Sequence, residues 1–227
     1  SIDSTGSVNQ DAGFSICSFT GNGSNSQTVK HGLSQAPELI ILKARSQGTY
    51  GWMVYDAING AGKYLNLAAT NGSTADTGMW SNTAPTSSVF SLSNGANVAI
   101  TNPNTVTIIS YCFHSVQGYS KIGKFTGNGN ANGTFVYTGF KPAFVMLKAT
   151  SISGKSWMMF DNKRIGYNQA NYTMVANGSD VEDTTAGRYD ILSNGFKLRN
   201  SGSAQNGSGG SYIYMAFAEN PFVTSSG

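Results

Sequence analysis

Apolar positions in this chain fall into short runs rich in β-branched and aromatic residues. They are Phe14 to Phe19, Pro37 to Ala44, Trp52 to Asp56, Tyr64 to Leu67, Val89 to Leu92 and Thr105 to Phe113. A second series covers Lys121 to Phe125, Phe144 to Lys148, Trp157 to Asp161, Tyr172 to Val175, Ile191 to Leu198 and Ser211 to Phe217. Asn-Gly, Ser-Gly and Thr-Gly clusters separate the runs, as expected of strands joined by turns. No stretch of about eleven residues keeps a 3.6-residue apolar period without an interrupting Gly or Asn, so little helix is expected. Continuously apolar central runs with alternating flanks predict two packed antiparallel sheets, an all-β sandwich.

The two series are copies. Phe19-Thr20-Gly21-Asn22-Gly23 recurs as Phe125-Thr126-Gly127-Asn128-Gly129. Pro37 to Ala44 recurs as Pro142 to Ala149, and Trp52 to Asp56 as Trp157 to Asp161, both at an offset of 105. Leu92-Ser93-Asn94-Gly95 matches Leu192-Ser193-Asn194-Gly195, and Tyr111-Cys112-Phe113 matches Met215-Ala216-Phe217. The expected organisation is a connecting segment over 1–12 and two similar sandwich units of about 105 residues, over 13–118 and 119–227. This unit is too long for a solenoid repeat, whose period runs to roughly 20–50 residues. Whether the units fold separately or interleave is open. The junction Val116 to Ser120 has no Pro- or Ser-rich linker character, so intimate packing is expected. The chain starts Ser1-Ile2-Asp3 without Met or a signal-like segment, as a piece of a longer protein would.

Composition narrows the chemistry. Charged residues make up 11% and aromatics 11%, against the high-charge, low-aromatic profile of a disordered chain. The net charge of +3 is spread thinly with no basic stripe, so no nucleic-acid partner is expected. No apolar run approaches the roughly 18 residues a membrane helix needs, so no membrane insertion is expected. Cys17 and Cys112 are too few for a disulfide scaffold and are expected as free, buried thiols.

Enzyme signatures are missing. His31, beside Gly32, is expected on the solvent side, and His114 ends an apolar strand whose second-copy counterpart is Ala218. Asp56 and Asp161 could pass for a glycosidase pair. They are one position in two copies, however, and are expected to accept hydrogen bonds from the turns that follow them. Serine has no nucleophile elbow. The Thr-Gly-Asn-Gly segments lack the following helix of a phosphate loop and read as hairpin turns needing positive φ. Asp180, Glu182 and Asp183 are oxygen ligands of the kind calcium takes, but their spacing matches no cation loop and a solvated loop without cofactor is expected. The six Asn-x-Ser/Thr sequons follow from composition and are expected to be unglycosylated.

Aromatics interleaved with Ser, Gly and Asn make good recognition loops. Sugars suit them, because a ring's C–H face stacks on an aromatic while its hydroxyls take Asn and Ser partners. The candidate ligand-binding residues are Tyr50, Trp80 with Asn82, Tyr167 and Tyr172, in loops that differ between the copies. Trp52 and Trp157, at repeated strand starts, are expected in the core.

The duplicated motifs, with Ala84 to Leu92, Gly118-Tyr119-Ser120-Lys121-Ile122-Gly123 and the closing Tyr214 to Phe222, carry a resemblance. From Gly13 to Phe222 the chain resembles a duplicated domain found at the C-terminal ends of tail fibre and related virion proteins of tailed bacteriophages, many marine or cyanobacterial. The resemblance implies a distal, host-facing place in the virion, homotrimeric assembly within a tail fibre, and attachment to a bacterial surface polysaccharide or other receptor without catalysis. A structural virion module without its own ligand is the alternative, and a polysaccharide depolymerase a more remote one. The resemblance supplies no catalytic or ligand residues.

Overall fold

The computed structural model describes residues 1–48, 50–165, 167–184 and 188–221. Phe222, which closes the last resemblance motif, lies outside the described residues. Contacts divide the chain into two compact units, 1–68 with 73–114, and 69–72 with 115–227. The first unit holds β1 (Ser4–Asn9), β2 (Phe14–Thr20), β3 (Thr28–Lys30), β4 (Leu39–Ala44), β5 (Met53–Asp56), β6 (Lys63–Asn66), β7 (Thr74–Ala75), β8 (Val89–Ser91) and β9 (Thr107–Phe113). Its helical content is one 3₁₀ turn over Gly95–Asn97 and one helical turn, α1 (Val98–Thr101). The second unit holds β10 (Ser120–Thr126), β11 (Phe135–Tyr137), β12 (Pro142–Ala149), β13 (Met158–Asp161), β14 (Met174–Val175), β15 (Tyr189–Leu192), β16 (Gly195–Leu198) and β17 (Ser211–Ala218).

Each unit is a sandwich of a large and a small antiparallel sheet, in agreement with the expected all-β class. The first has the order β1-β2-β9-β4-β5-β6-β7 facing β3-β8, and the second β10-β17-β12-β13-β14 facing β11-β16-β15. From β2 to β6 the first large sheet matches the second strand for strand, and so do the registers, while β1 and β7 at its two edges have no counterpart among the described residues. Leu39 lies opposite Phe113 and Asp56 in the first unit, and Phe144 opposite Phe217 and Asp161 in the second. Alternation along β2 buries Ser15, Cys17 and Phe19 and leaves the intervening residues half exposed, as a strand covered on one face requires. The first core joins Phe19, Ile40, Leu42 and Ile108 of the large sheet to Val29 and Phe90 of the small one. The second joins Val145, Leu147, Phe160 and Tyr212 to Val136, Phe196 and Leu198.

The repeated Phe-Thr-Gly-Asn-Gly motif is explained by its contacts. Its phenylalanine packs edge-on against the small sheet, Phe19 on Phe90 and Phe125 on Phe196. A Cβ on the first glycine would sit 2.1 Å from the Pro103 carbonyl oxygen at Gly21, and 2.3 Å from that of Gly207 at Gly127, so only glycine fits. The second glycine has φ of +70° at Gly23 and +65° at Gly129. Between them, each asparagine is clasped by a buried one: the Asn102 amide accepts from Asn22 N–H and donates to Asn22 Oδ1, and Asn206 does the same with Asn128. The segment is a crossover from the large to the small sheet rather than the hairpin turn expected, although the positive φ holds.

Other expectations need correcting. Residues 4–9, read as part of a connecting segment, form β1 and pair along their whole length with β2. Their side chains are mostly exposed and polar, so the strand carries no apolar signal. Ile2 is a core residue bridging to Val29. Ile191 to Leu198 is two strands hairpinned at Ser193-Asn194. The two Leu-Ser-Asn-Gly segments do not correspond. Phe90 pairs with Val29 and Phe196 with Val136, which puts Leu92-Ser93-Asn94-Gly95 after the partner strand in one unit and Leu192-Ser193-Asn194-Gly195 before it in the other. Turn-forming residues recur in a chain this rich in Asn and Gly without marking the same place.

His31 is fully buried rather than solvent-facing. Its Nδ1 accepts from Leu33 N–H at 3.1 Å, so Nε2 carries the proton and donates to the Thr86 carbonyl at 3.1 Å. Burial pushes its pKa down, against the opposing pull of that carbonyl. Cys17 and Cys112 are free and buried as expected, and burial pushes the Cys112 thiol up to about 12. No helix among the described residues is long and apolar enough to cross a membrane.

Candidate functional site

The five sequence candidates do not converge. Trp80 is 1% exposed and stacks edge-on against Tyr55 in the first core, so it is a packing residue and not a ligand contact. A tryptophan in a Gly/Asn/Ser loop reads as a surface residue, but this loop folds Trp80 inward together with its neighbour Met79. Tyr50 packs half-buried against the same core, and its carbonyl accepts from Lys43 Nζ. Asn82 is exposed and, with Ser81, adopts positive φ, +47° and +51°. Tyr172 is half-buried and its carbonyl accepts from Tyr189 Oη at 2.8 Å. Tyr167 is 73% exposed. Trp157 is buried as expected, whereas Trp52 is only partly so.

Tyr167 lines a cleft. The cleft, about 390 Å³, lies in the second unit between the segment after β13, the start of β12, β15 and the residue after β17. That volume falls within the roughly 300–1,000 Å³ of ligand pockets. Ile165, Ala170 and Ile191 supply its apolar wall, and Lys141, Lys163 and Glu219 its charges.

Local chemistry fixes this wall. Asp161 ends β13 and accepts from the N–H groups of Lys163 and Arg164, the turn-capping role expected of it, while Asp56 accepts from Asn59 N–H. Arg164 then bridges Asp161 to Glu182. Burial alone would raise the Asp161 pKa, but the donors from Arg164 and Lys163 outweigh it and hold the carboxyl below its usual value. Farther along, the Asn168 amide pairs both ways with the Ile191 backbone, at 2.9 Å each, and so extends the ladder by one side chain. Glu219 meets Lys141 at 2.7 Å and Lys163 at 3.4 Å. The Lys141 hydrogen bond, with the Lys163 charge behind it, holds the Glu219 carboxyl below its ordinary range.

Asn162, next to Asp161, is different. Its backbone N–H is bonded to the Ala143 carbonyl at 3.0 Å, yet both its amide oxygen and amide nitrogen are screened from water and have no hydrogen-bond partner. A buried, unpaired amide costs roughly 1–3 kcal/mol, and such groups call for an explanation.

Sequence reading missed Asn162, Lys141, Lys163 and Glu219. The signal lay in the difference between the two sequence copies: by strand register they stand where the first copy has Ala57, Ala36, Ile58 and Ser115. Glu182 and Asp183, in the acidic loop expected to be solvated rather than to hold calcium, face Arg164 and Arg188. Among the described residues no three His, Cys, Asp or Glu side chains cluster as metal ligands.

No curated protein and no solved structure matches the chain. Over residues 1–221 it matches the model of the family described as Domain of unknown function (DUF7483), and it belongs to that family.

Proposed function

We propose that the protein is a non-catalytic recognition domain that binds a bacterial surface polysaccharide through the cleft of its second unit. The observation that carries this reading is Tyr167, an exposed aromatic at a cleft whose wall combines apolar side chains with the unpaired Asn162 amide. A sugar ring would lay its C–H face on the phenol and give its hydroxyls to the amide. On this reading, supported by the resemblance to tail fibre domains, the site lies at the distal end of a phage fibre in a homotrimer whose several weak sites add in avidity. Against a depolymerase, the cleft lining holds a single carboxylate, Glu219, ion-paired and kept charged, where paired-carboxylate hydrolysis needs two with one protonated. The test is binding of the purified chain to polysaccharide extracted from host bacteria. Saturable binding that Tyr167→Ala weakens about tenfold or more, roughly 1.4 kcal/mol, is expected. Unchanged binding in that variant rules out the site, and release of reducing ends would restore the depolymerase reading.

A second reading, a structural virion module, is favoured by Phe135 and Tyr137. They are 44% and 58% exposed at alternate positions of β11, an edge strand of its sheet. On this reading the pair is covered by a neighbouring virion chain, the isolated protein has no affinity for host envelope, and Tyr137→Ser impairs assembly.

A further inference from the structure

The three charged groups of the cleft do not balance. Two lysines share one carboxylate; Lys141 is close to it, while Lys163 is held at 3.4 Å with its side chain 77% exposed. The other cation nearby, Arg164, is committed to Asp161 and Glu182. The cleft lining therefore carries one surplus positive charge, on an ammonium group that keeps most of its donor capacity for another partner.

Asn162, which precedes Lys163 in the chain and shares the lining with it, has an amide with one unpaired donor group and one unpaired acceptor. A simple anion cannot serve both: a phosphate, sulfate or carboxylate oxygen would accept from Nδ2 but would face Oδ1 acceptor to acceptor. A hydroxyl both donates and accepts, so one or two ring hydroxyls complete the amide. The neighbouring Asn168 amide is already spent on Ile191, so Asn162 is the side-chain amide of the lining that remains to be filled. With Tyr167 as a stacking surface, the lining asks for a pyranose ring, hydroxyls on one edge and a negative charge near that edge.

From this geometry we infer that the cleft takes an acidic sugar, a hexuronic acid residue, with its carboxylate on Lys163, its hydroxyls on the Asn162 amide and its ring on Tyr167. This rests on the glycan-binding reading above and names its substrate class. The Glu219 carboxylate has a positioning part: it holds Lys141 and steadies Lys163 without neutralising both. Because the Asn162 amide is screened from water, binding on this inference requires the lining around it to open.

The test is calorimetric or saturation-transfer titration of the full chain with methyl glucuronide and methyl galacturonide, set against methyl glucoside and methyl galactoside. A preference of tenfold or more for an acidic sugar is expected, falling as salt is raised. Lys163→Ala should erase that preference while leaving residual binding of the neutral sugar. Asn162→Ala should weaken acidic and neutral sugars alike, with an unchanged or higher thermal midpoint because the side chain bonds to nothing in the fold. Equal affinity for acidic and neutral sugars, with binding still sensitive to Tyr167→Ala, overturns this inference and leaves glycan binding standing. Displacement by inorganic sulfate as effective as by the uronide also overturns it. Absence of binding to every sugar and to host polysaccharide overturns the glycan reading itself, and this inference with it.

Discussion

After Asp56 the first unit returns to its sheet within six residues, and after Asp161 the second takes twelve. Thirteen positions separate Met53 from its partner Asn66, and seventeen separate Met158 from Val175. The four extra residues fall in the segment that carries Asn162, Lys163, Ile165, Tyr167 and Asn168. Both units cap the turn with the same aspartate, clasp the crossover with the same asparagine, and tie a loop carbonyl seven residues on with the same lysine, Lys43 to Tyr50 and Lys148 to Lys155. Everything that repeats serves the frame. The connection after that aspartate differs in length and charge, a change that loop-closure entropy tolerates at small cost.

The largest way to break the comparison is Trp80→Ala. If Trp80 is core, the variant loses about 3–5 kcal/mol of unfolding free energy in urea titration. Glycan affinity measured where the chain is still folded should not change, the reverse of the Tyr167→Ala outcome. Next come the clasps. Asn206 makes five side-chain hydrogen bonds, to Asn128, Asn130, Asn200 and Thr134, whereas Asn102 makes three. Alanine at either leaves buried groups unpaired and should cost about 2–3 kcal/mol, more at 206 than at 102; equal losses would mean the extra bonds add nothing.

Lys148 sharpens the contrast in the pH dependence. Fully buried, it donates to the carbonyls of Thr70 and Lys155, and burial pushes its pKa down to about 8. Above that value the unfolded chain, with an ordinary lysine near 10.4, binds more protons than the folded one, so this group makes stability rise with pH between about 8 and 10. The buried Cys112 thiol and Tyr55 and Tyr214 phenols, each raised to about 12, act oppositely above pH 9 to 10. The clean measurement is the stability of wild type against Lys148→Met: the rise starting at pH 8 should be present in the first and absent in the second.

The smallest effect concerns the repeated aspartates, whose pKa values move in opposite directions. Burial raises that of Asp56, despite the Asn59 hydrogen bonds, while Arg164 and Lys163 lower that of Asp161. Asp161 therefore contributes stability at neutral pH that is lost as pH falls through its depressed folded value, whereas Asp56 favours the folded state in its protonated form, an advantage lost as pH rises through its raised value. Denaturation titrations from pH 6 to 3 should show Asp161→Asn weakening the acid sensitivity and Asp56→Asn strengthening it.

Most strands were legible because a sandwich imposes its period on the chain. The run Leu39 to Leu42 is buried throughout, and Phe14 to Thr20 alternates, as their patterns required. β1 was not legible, since an exposed edge needs no apolar residue, and neither was the three-residue β3, held by its single buried Val29. In the cleft only Tyr167 could be named, because an aromatic in a polar loop stands out by type. Lys141 and Glu219 lie 78 positions apart and meet only because β12 and β17 pair.

The sequence by itself determined the two-fold pattern of strands and turns, since hydrophobic period and turn chemistry are local; why glycine must stand at 21 and 127 was decided by the tertiary structure, which brings the Pro103 and Gly207 carbonyls against them. Trp80 inside, His31 buried neutral and Asn162 left unpaired were decided by the tertiary structure alone. Burial and hydrogen-bond partnership depend on what the rest of the chain places nearby, and identical residue types in similar loops meet different neighbours.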